Sequence, residues 1–164
     1  MSSNIQLIDA VARLLTDNEL TLVTAESCTG GMIAAELTSR PGSSDWFEGA
    51  FVTYRLSAKT RMIGVRQRTL DQYGAVSEPT VREMAEGALT ACDARISVAV
   101  TGVAGPDGGE LLSPVGTVWF GWAVQTPDPH CVQTSRYELA GSRAEVREQA
   151  VAIALEGLRT ILDR

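Results

Sequence analysis

No stretch limits the possible fold as tightly as residues 20–37. Leu20-Thr21-Leu22-Val23 is an apolar, alternating run that reads as a buried strand over about residues 20–25. The small, polar segment Thr24-Ala25-Glu26-Ser27-Cys28-Thr29-Gly30-Gly31 follows, and Met32-Ile33-Ala34-Ala35-Glu36-Leu37 then reads as a helix within residues 29–39. A strand, a short turn and a helix place small side chains at the carboxyl edge of a sheet, where open α/β folds bind ligands. Helix N-terminal amides at such an edge can receive a phosphate or a developing oxyanion. Gly30 and Gly31 allow close approach of a ligand, and Ser27 and Cys28 are both candidate nucleophiles. A plain helix cap has the same appearance, so the remainder of the chain must decide.

The flanking segments build a fold around this turn. Ser3 with Gln6 fits a capping box, and Ile5, Ile8, Val11, Ala12 and Leu15 then share one helical face. Gly49-Ala50-Phe51-Val52-Thr53-Tyr54 reads as a second strand. Weak helical patterns occupy residues 55–64 and 67–73, the latter closed by Gly74. Ser77-Glu78-Pro79 starts a helix that buries Val81, Met84, Ala85, Ala88, Leu89 and Cys92. Ile96-Ser97-Val98-Ala99-Val100 is the strongest strand pattern, and it runs into a second glycine-rich loop, residues 101–109. Strands over residues 115–124 and 131–139 flank a Pro127-Asp128-Pro129 turn and pair antiparallel. Ser142 with Glu145 is a further capping box, opening a helix over about 142–162 that buries Val146, Ala150, Ile153, Leu158 and Ile161. The order predicts one α/β domain over residues 1–164, a three-layer α/β/α arrangement with a mixed sheet.

Composition removes several function classes. A net charge of −6 argues against nucleic acid and anionic membranes as partners, since both need a basic surface. No apolar run approaches the ~20 residues of a membrane span, and the N-terminus lacks the pattern of a signal peptide. Cys28, Cys92 and Cys131 are odd in number and widely spaced, which fits a reduced, cytoplasmic setting. His130 is the only histidine and sits in a turn, so neither a metal site nor a histidine-based triad is expected. No cofactor is implied.

If Ser27 attacks, its proton must therefore go to a lysine, a tyrosine or a carboxylate. Lys59 is the only lysine among fourteen basic residues. A free lysine has a pKa of about 10.4, and burial or a nearby cation can lower it to about 7–8. Arg143 and Arg147, one turn apart at the start of the last helix, repel each other at an end that prefers anions, which points to an anion nearby. Glu145 and Glu148 are the competing explanation. Glu26 either orients Ser27 or anchors the turn by accepting backbone N–H groups, and Asp107 reads as turn chemistry.

Four motifs in order, residues 24–31, Gly74-Ala75-Val76-Ser77-Glu78, Thr101-Gly102-Val103-Ala104-Gly105-Pro106 and Pro114-Val115-Gly116-Thr117-Val118, resemble the CinA C-terminal domain family over nearly the whole chain. A larger N-terminal domain carried by some members is not expected here. The resemblance implies hydrolysis of the carboxamide of nicotinamide mononucleotide to nicotinate mononucleotide and ammonia, a step in pyridine-nucleotide recycling. It implies Ser27 as nucleophile with Tyr54 and Lys59, and a substrate site drawn from Glu26, Thr29, Gly30, Gly31, Arg55, Thr101, Gly102, Gly105, Pro106 and Arg143. It also implies a homo-oligomer, most simply a dimer. Where members carry a small polar residue and an asparagine after the tyrosine, this chain has Arg55-Leu56. That departure keeps a nucleotide-binding module without turnover as an alternative, and a hydrolase using Cys28 is a third reading.

Overall fold

The computed structural model describes residues 4–127 and 130–164. The elements run α1 (Ile5–Asp17), β1 (Leu22–Glu26), α2 (Met32–Thr38), a 3-10 turn (Ser43–Asp45), β2 (Phe47–Val52), α3 (Leu56–Ile63), α4 (Gln67–Tyr73), α5 (Glu78–Ala91), β3 (Ile96–Gly102), β4 (Thr117–Val124), β5 (Cys131–Glu138) and α6 (Arg143–Leu162). The Ser3 cap and part of the 127–129 turn lie outside the described residues. The sheet order is β2-β1-β3-β4-β5. β1 pairs parallel with β2 and β3, while β4 and β5 continue antiparallel, so the sheet is mixed as the sequence predicts.

Side-chain alternation sends the two faces to two separate cores. Leu22, Val98, Val100, Phe120 and Trp122 meet α1, α2 and α6 on one face. Val23, Ala25, Ala99 and Ala123 meet α3, α4 and α5 on the other. The second face is lined by small residues, and this lets α5 lie close to it. Ser97 Oγ donates to the Ala85 carbonyl at 2.7 Å, and a Cβ at Gly121 would stand 3.0 Å from the Val81 carbonyl oxygen. The helix termini follow local chemistry. Ser77 accepts from the Thr80 amide, and Ser142 with Glu145 forms the expected reciprocal box.

Two expectations about packing change. In α6, Ile153 and Ile161 are only partly buried, whereas Val151, Ala154 and Leu155 are fully inside. The Trp122 ring causes the shift: it lies against Gly157, and its Nε1 donates to the Ala154 carbonyl at 3.1 Å. Cys92 caps α5 and is only half-buried. Helix α2 also begins later than the periodicity suggests, because Gly30 and Gly31 adopt left-handed φ values of +57° and +96°.

Three loops, after β1, β2 and β3, open at the carboxyl edge of the parallel part of the sheet. Helix α3 returns over that edge and is held there by a close approach to α5. A Cβ at Gly87 would stand 1.8 Å from the Ile63 carbonyl oxygen, so only glycine lets the two helices meet. Gly87→Ala is expected to lower stability by about 2 kcal/mol, even after the ~1 kcal/mol that alanine gains within a helix. A urea midpoint equal to or above that of the wild type would contradict this packing account.

Candidate active site

Ser27 continues the line of β1, its amide donating to the Val100 carbonyl at 3.0 Å, and the chain then turns. The turn is gripped from two sides. Behind it, the fully buried Glu26 carboxylate accepts from Thr29 Oγ1 at 2.7 Å and from the Gly31, Ile33 and Ala34 amides at 3.0, 3.1 and 2.9 Å. Thr24 Oγ1 donates to the same carboxylate at 3.2 Å. From α6, Arg147 Nε donates to the Cys28 carbonyl at 3.0 Å, and its Nη2 to the Thr29 carbonyl at 3.3 Å. The α2 amides are thus engaged by Glu26, which corrects the idea that they receive a ligand anion.

Lys59 enters from the inner side of α3 and is 1% exposed. Its Nζ stands 3.0 Å from Ser27 Oγ, 2.6 Å from the Thr53 carbonyl and 3.4 Å from the Tyr54 carbonyl. No carboxylate pairs with it among the described residues. Burial lowers its pKa from 10.5 to about 8, and the neighbouring Cys28 opposes this in part. At pH 7 about one molecule in ten then holds a neutral amine, against about one in 3,000 for an unshifted lysine. A neutral amine has two N–H donors and one lone pair. The ammonium donates to all three oxygens; in the neutral form the two carbonyls, which can only accept, take both N–H donors, and that leaves the lone pair for Ser27 Oγ–H.

These groups line a cavity of about 280 Å³ with Cys28, Tyr54, Thr101, Gly102, Gly105 and Arg143. Tyr54 is 55% exposed, and its hydroxyl accepts from Arg143 Nη2 at 2.8 Å. Arg143 Nη1 donates to the Gly105 carbonyl at 2.8 Å, so one guanidinium ties two loops at the cavity mouth. Tyr54 meets Lys59 through its main-chain carbonyl, not its phenol. Cys28 faces the same hollow, but burial pushes its thiol up to about 11, leaving almost no thiolate at neutral pH.

Several expected contributors stand elsewhere. Glu26 and Thr29 are buried behind the turn, and Gly30, Gly31, Arg55 and Pro106 are not part of the cavity wall. Glu26 therefore takes the anchoring role of its two sequence-based alternatives. Arg143 and Arg147 do not form a joint anion clamp, since only Arg143 reaches the cavity. The wall also uses Ala75, Val76, Val103, Ala104, Asp107 and Gly108. Ala75 and Val76 belong to a motif the sequence displays, and Thr101 Oγ1 donates to the Ala75 carbonyl at 2.8 Å, binding that loop to β3. Among the described residues no cluster of His, Cys, Asp and Glu is placed to hold a metal, and no helix is long and apolar enough to cross a membrane.

At this sheet edge a serine hydroxyl stands within hydrogen-bond distance of a buried lysine that no carboxylate pairs with among the described residues. The chain belongs to the CinA C-terminal domain family, whose model matches residues 4–162. It is 50% identical over 157 residues to the nicotinamide-nucleotide amidohydrolase PncC of Escherichia coli strain K12, covering 96% of this chain and 93% of that one. Among solved structures, a CinA superfamily protein from Klebsiella pneumoniae 700603 superposes with a TM-score of 0.91 at 39% identity, covering 96% of each chain. The competence/damage inducible protein CihA from Agrobacterium tumefaciens gives 0.87 at 40% identity, again over 96% of each.

The anchoring role of Glu26 has a direct test. Glu26→Gln places an amide NH₂ against N–H donors and leaves at least one buried amide unpaired. A loss of about 2 kcal/mol in denaturant unfolding is expected, because an orphaned buried donor costs its full desolvation. Unchanged stability would show that the carboxylate does not hold the turn.

Proposed function

We propose that this protein hydrolyses the carboxamide of nicotinamide mononucleotide to nicotinate mononucleotide and ammonia, through an acyl-enzyme on Ser27. The observation that carries the reading is the 3.0 Å contact between Ser27 Oγ and an amine whose pKa burial lowers to about 8. The match to the E. coli amidohydrolase spans nearly all of both chains and supports the substrate named here.

The Lys59 lone pair takes the Ser27 hydroxyl proton as Oγ bonds to the carboxamide carbon. The resulting oxyanion needs fixed donors. In the turn, the Ser27, Gly30, Gly31 and Met32 amides already have oxygen acceptors, while the Cys28 amide has only its own thiol sulfur beside it and belongs to a cavity-lining residue. The Cys28 N–H is thus our assignment for the oxyanion donor. The Lys59 ammonium returns its proton to the leaving nitrogen, and ammonia departs. Water, deprotonated by the same amine, then attacks the ester and frees the carboxylate and Ser27. Arg143 at the mouth supplies a positive charge for the substrate phosphate, and Tyr54 holds that guanidinium in place. Arg55 lies outside the cavity wall, so the Arg55-Leu56 departure does not crowd the substrate.

Ammonia release from nicotinamide mononucleotide tests the reading. Ser27→Ala and Lys59→Ala should each lose activity by about 10³-fold or more while keeping the wild-type fold. The wild-type kcat/KM should rise with pH and level off above about 8, as Lys59 becomes neutral. Tight binding of the nucleotide without ammonia would instead support a module that binds and does not turn over. Full activity in either variant would remove the serine–lysine mechanism.

A further inference from the structure

Hydrolysis of a carboxamide changes the charge of the ligand at one place. The amide that enters is neutral there, and the acid that leaves is an anion. That charge forms beside Lys59. The acyl carbon is bonded to Ser27 Oγ before release, and Oγ stands 3.0 Å from Nζ. The freed carboxylate oxygens therefore start within about 4 Å of the amine, the reach of an ion pair.

The proton balance puts the opposite charge in the same place. Over one cycle the amide and one water yield a carboxylate, ammonia and one proton. In the second half, the first proton of water passes through Lys59 to the Ser27 oxygen, and the remaining O–H ends in the new acid. A carboxyl group ordinarily ionises near pH 4. Its proton thus moves to the far more basic amine, while ammonia has already left. The cycle ends on an ammonium and a carboxylate side by side.

No other group in the cavity is placed to neutralise that ammonium. Lys59 is 1% exposed, and its remaining partners are the Thr53 and Tyr54 carbonyls. The Glu26 carboxylate is taken by Thr24, Thr29 and the amides of α2. Cys28 keeps its proton, since burial pushes its thiol up to about 11. Arg143 adds positive charge and is held by the Tyr54 hydroxyl. Asp107, the one carboxylate of the cavity wall, is exposed and makes no ion pair with Lys59. On α5, which packs against α3, Glu83 pairs with Arg66, and Glu86 lines a separate hollow with Gly64 and Thr90. The amine is already dehydrated before any ligand arrives, so only the incoming carboxylate must shed water to form the pair. A carboxamide in the same position leaves the ammonium unmatched.

We infer that the carboxylate product, paired with protonated Lys59, is held more tightly than the carboxamide substrate and inhibits the enzyme until a following reaction consumes it. The inference rests on the hydrolytic reading of Ser27 and Lys59 given above. The coupling is reciprocal: the product holds the proton on Lys59, and the proton holds the product. The free base returns only when the acid departs.

Calorimetry on Ser27→Ala compares nicotinamide and nicotinate mononucleotides without turnover. At pH 7 the acid should bind at least tenfold more tightly than the amide. That preference should shrink about tenfold between pH 7 and pH 9, as Lys59 loses its proton. Both ligands carry the same phosphate, so its own titration cancels in the ratio. In the wild type, the side-chain NMR signal of Lys59 should move its midpoint from near pH 8 to about 10 on saturation with the acid. In the ammonia-release assay the acid should inhibit competitively, with a Ki below the KM of the amide. Ammonia release accompanied by equal binding of acid and amide, or by a preference that does not change with pH, would overturn this inference and leave the hydrolytic reading standing. No ammonia and no binding of either nucleotide would remove both.

Discussion

The structure depends on a buried amine that no carboxylate neutralises among the described residues. A lysine taken out of water without an opposite charge is costly, and that cost lowers the pKa of the amine to about 8. Lys59 donates to the Thr53 and Tyr54 carbonyls and to Ser27 Oγ, and when it is neutral the two carbonyls hold its N–H groups and leave the lone pair for Ser27. A carboxylate within contact distance would hold the proton on the amine, against the base role proposed for it. The nearest buried acid, Glu26, is instead turned away and occupied by the amides of its own turn.

That placement needs three parts of the fold at once. Small residues on one face of the sheet bring α5 close, and Gly87 lets α3 settle against α5, carrying Lys59 inward. The Ser27 turn is fixed by Glu26 from behind and by Arg147 from α6. Arg143, one helical turn before Arg147, reaches past it to the cavity mouth and joins the Tyr54 and Gly105 loops. The like-charged pair at the start of α6 is thus explained by two separate sets of oxygen acceptors.

Much of this was legible in the sequence because it is local. Alternation located the strands, glycine pairs located the turns, and Ser-x-x-Glu located the start of α6. Ser27, Tyr54 and Lys59 stood out because the one histidine sits in a turn and the one lysine is solitary, together with the family resemblance. What escaped are contacts between distant residues. Nothing near Gly87 announces that the Ile63 carbonyl lies against it. Arg147 reads as an anion ligand until its acceptors, Cys28 and Thr29, are seen to be more than 100 residues away in sequence. Glu26 reads equally well as an anchor or a ligand contact, because the choice depends on where α2 begins, and Gly30 and Gly31 delay that start.

Lys59 is the only lysine in the chain, so isotope-labelled lysine gives a single side-chain signal whose titration can be followed by NMR. The expected result is a midpoint near pH 8, which is lost on unfolding in urea as the group returns to its ordinary value. A midpoint above about 10 in the folded protein, the range of a solvated ammonium, would contradict the claim that burial prepares this amine to accept the Ser27 proton.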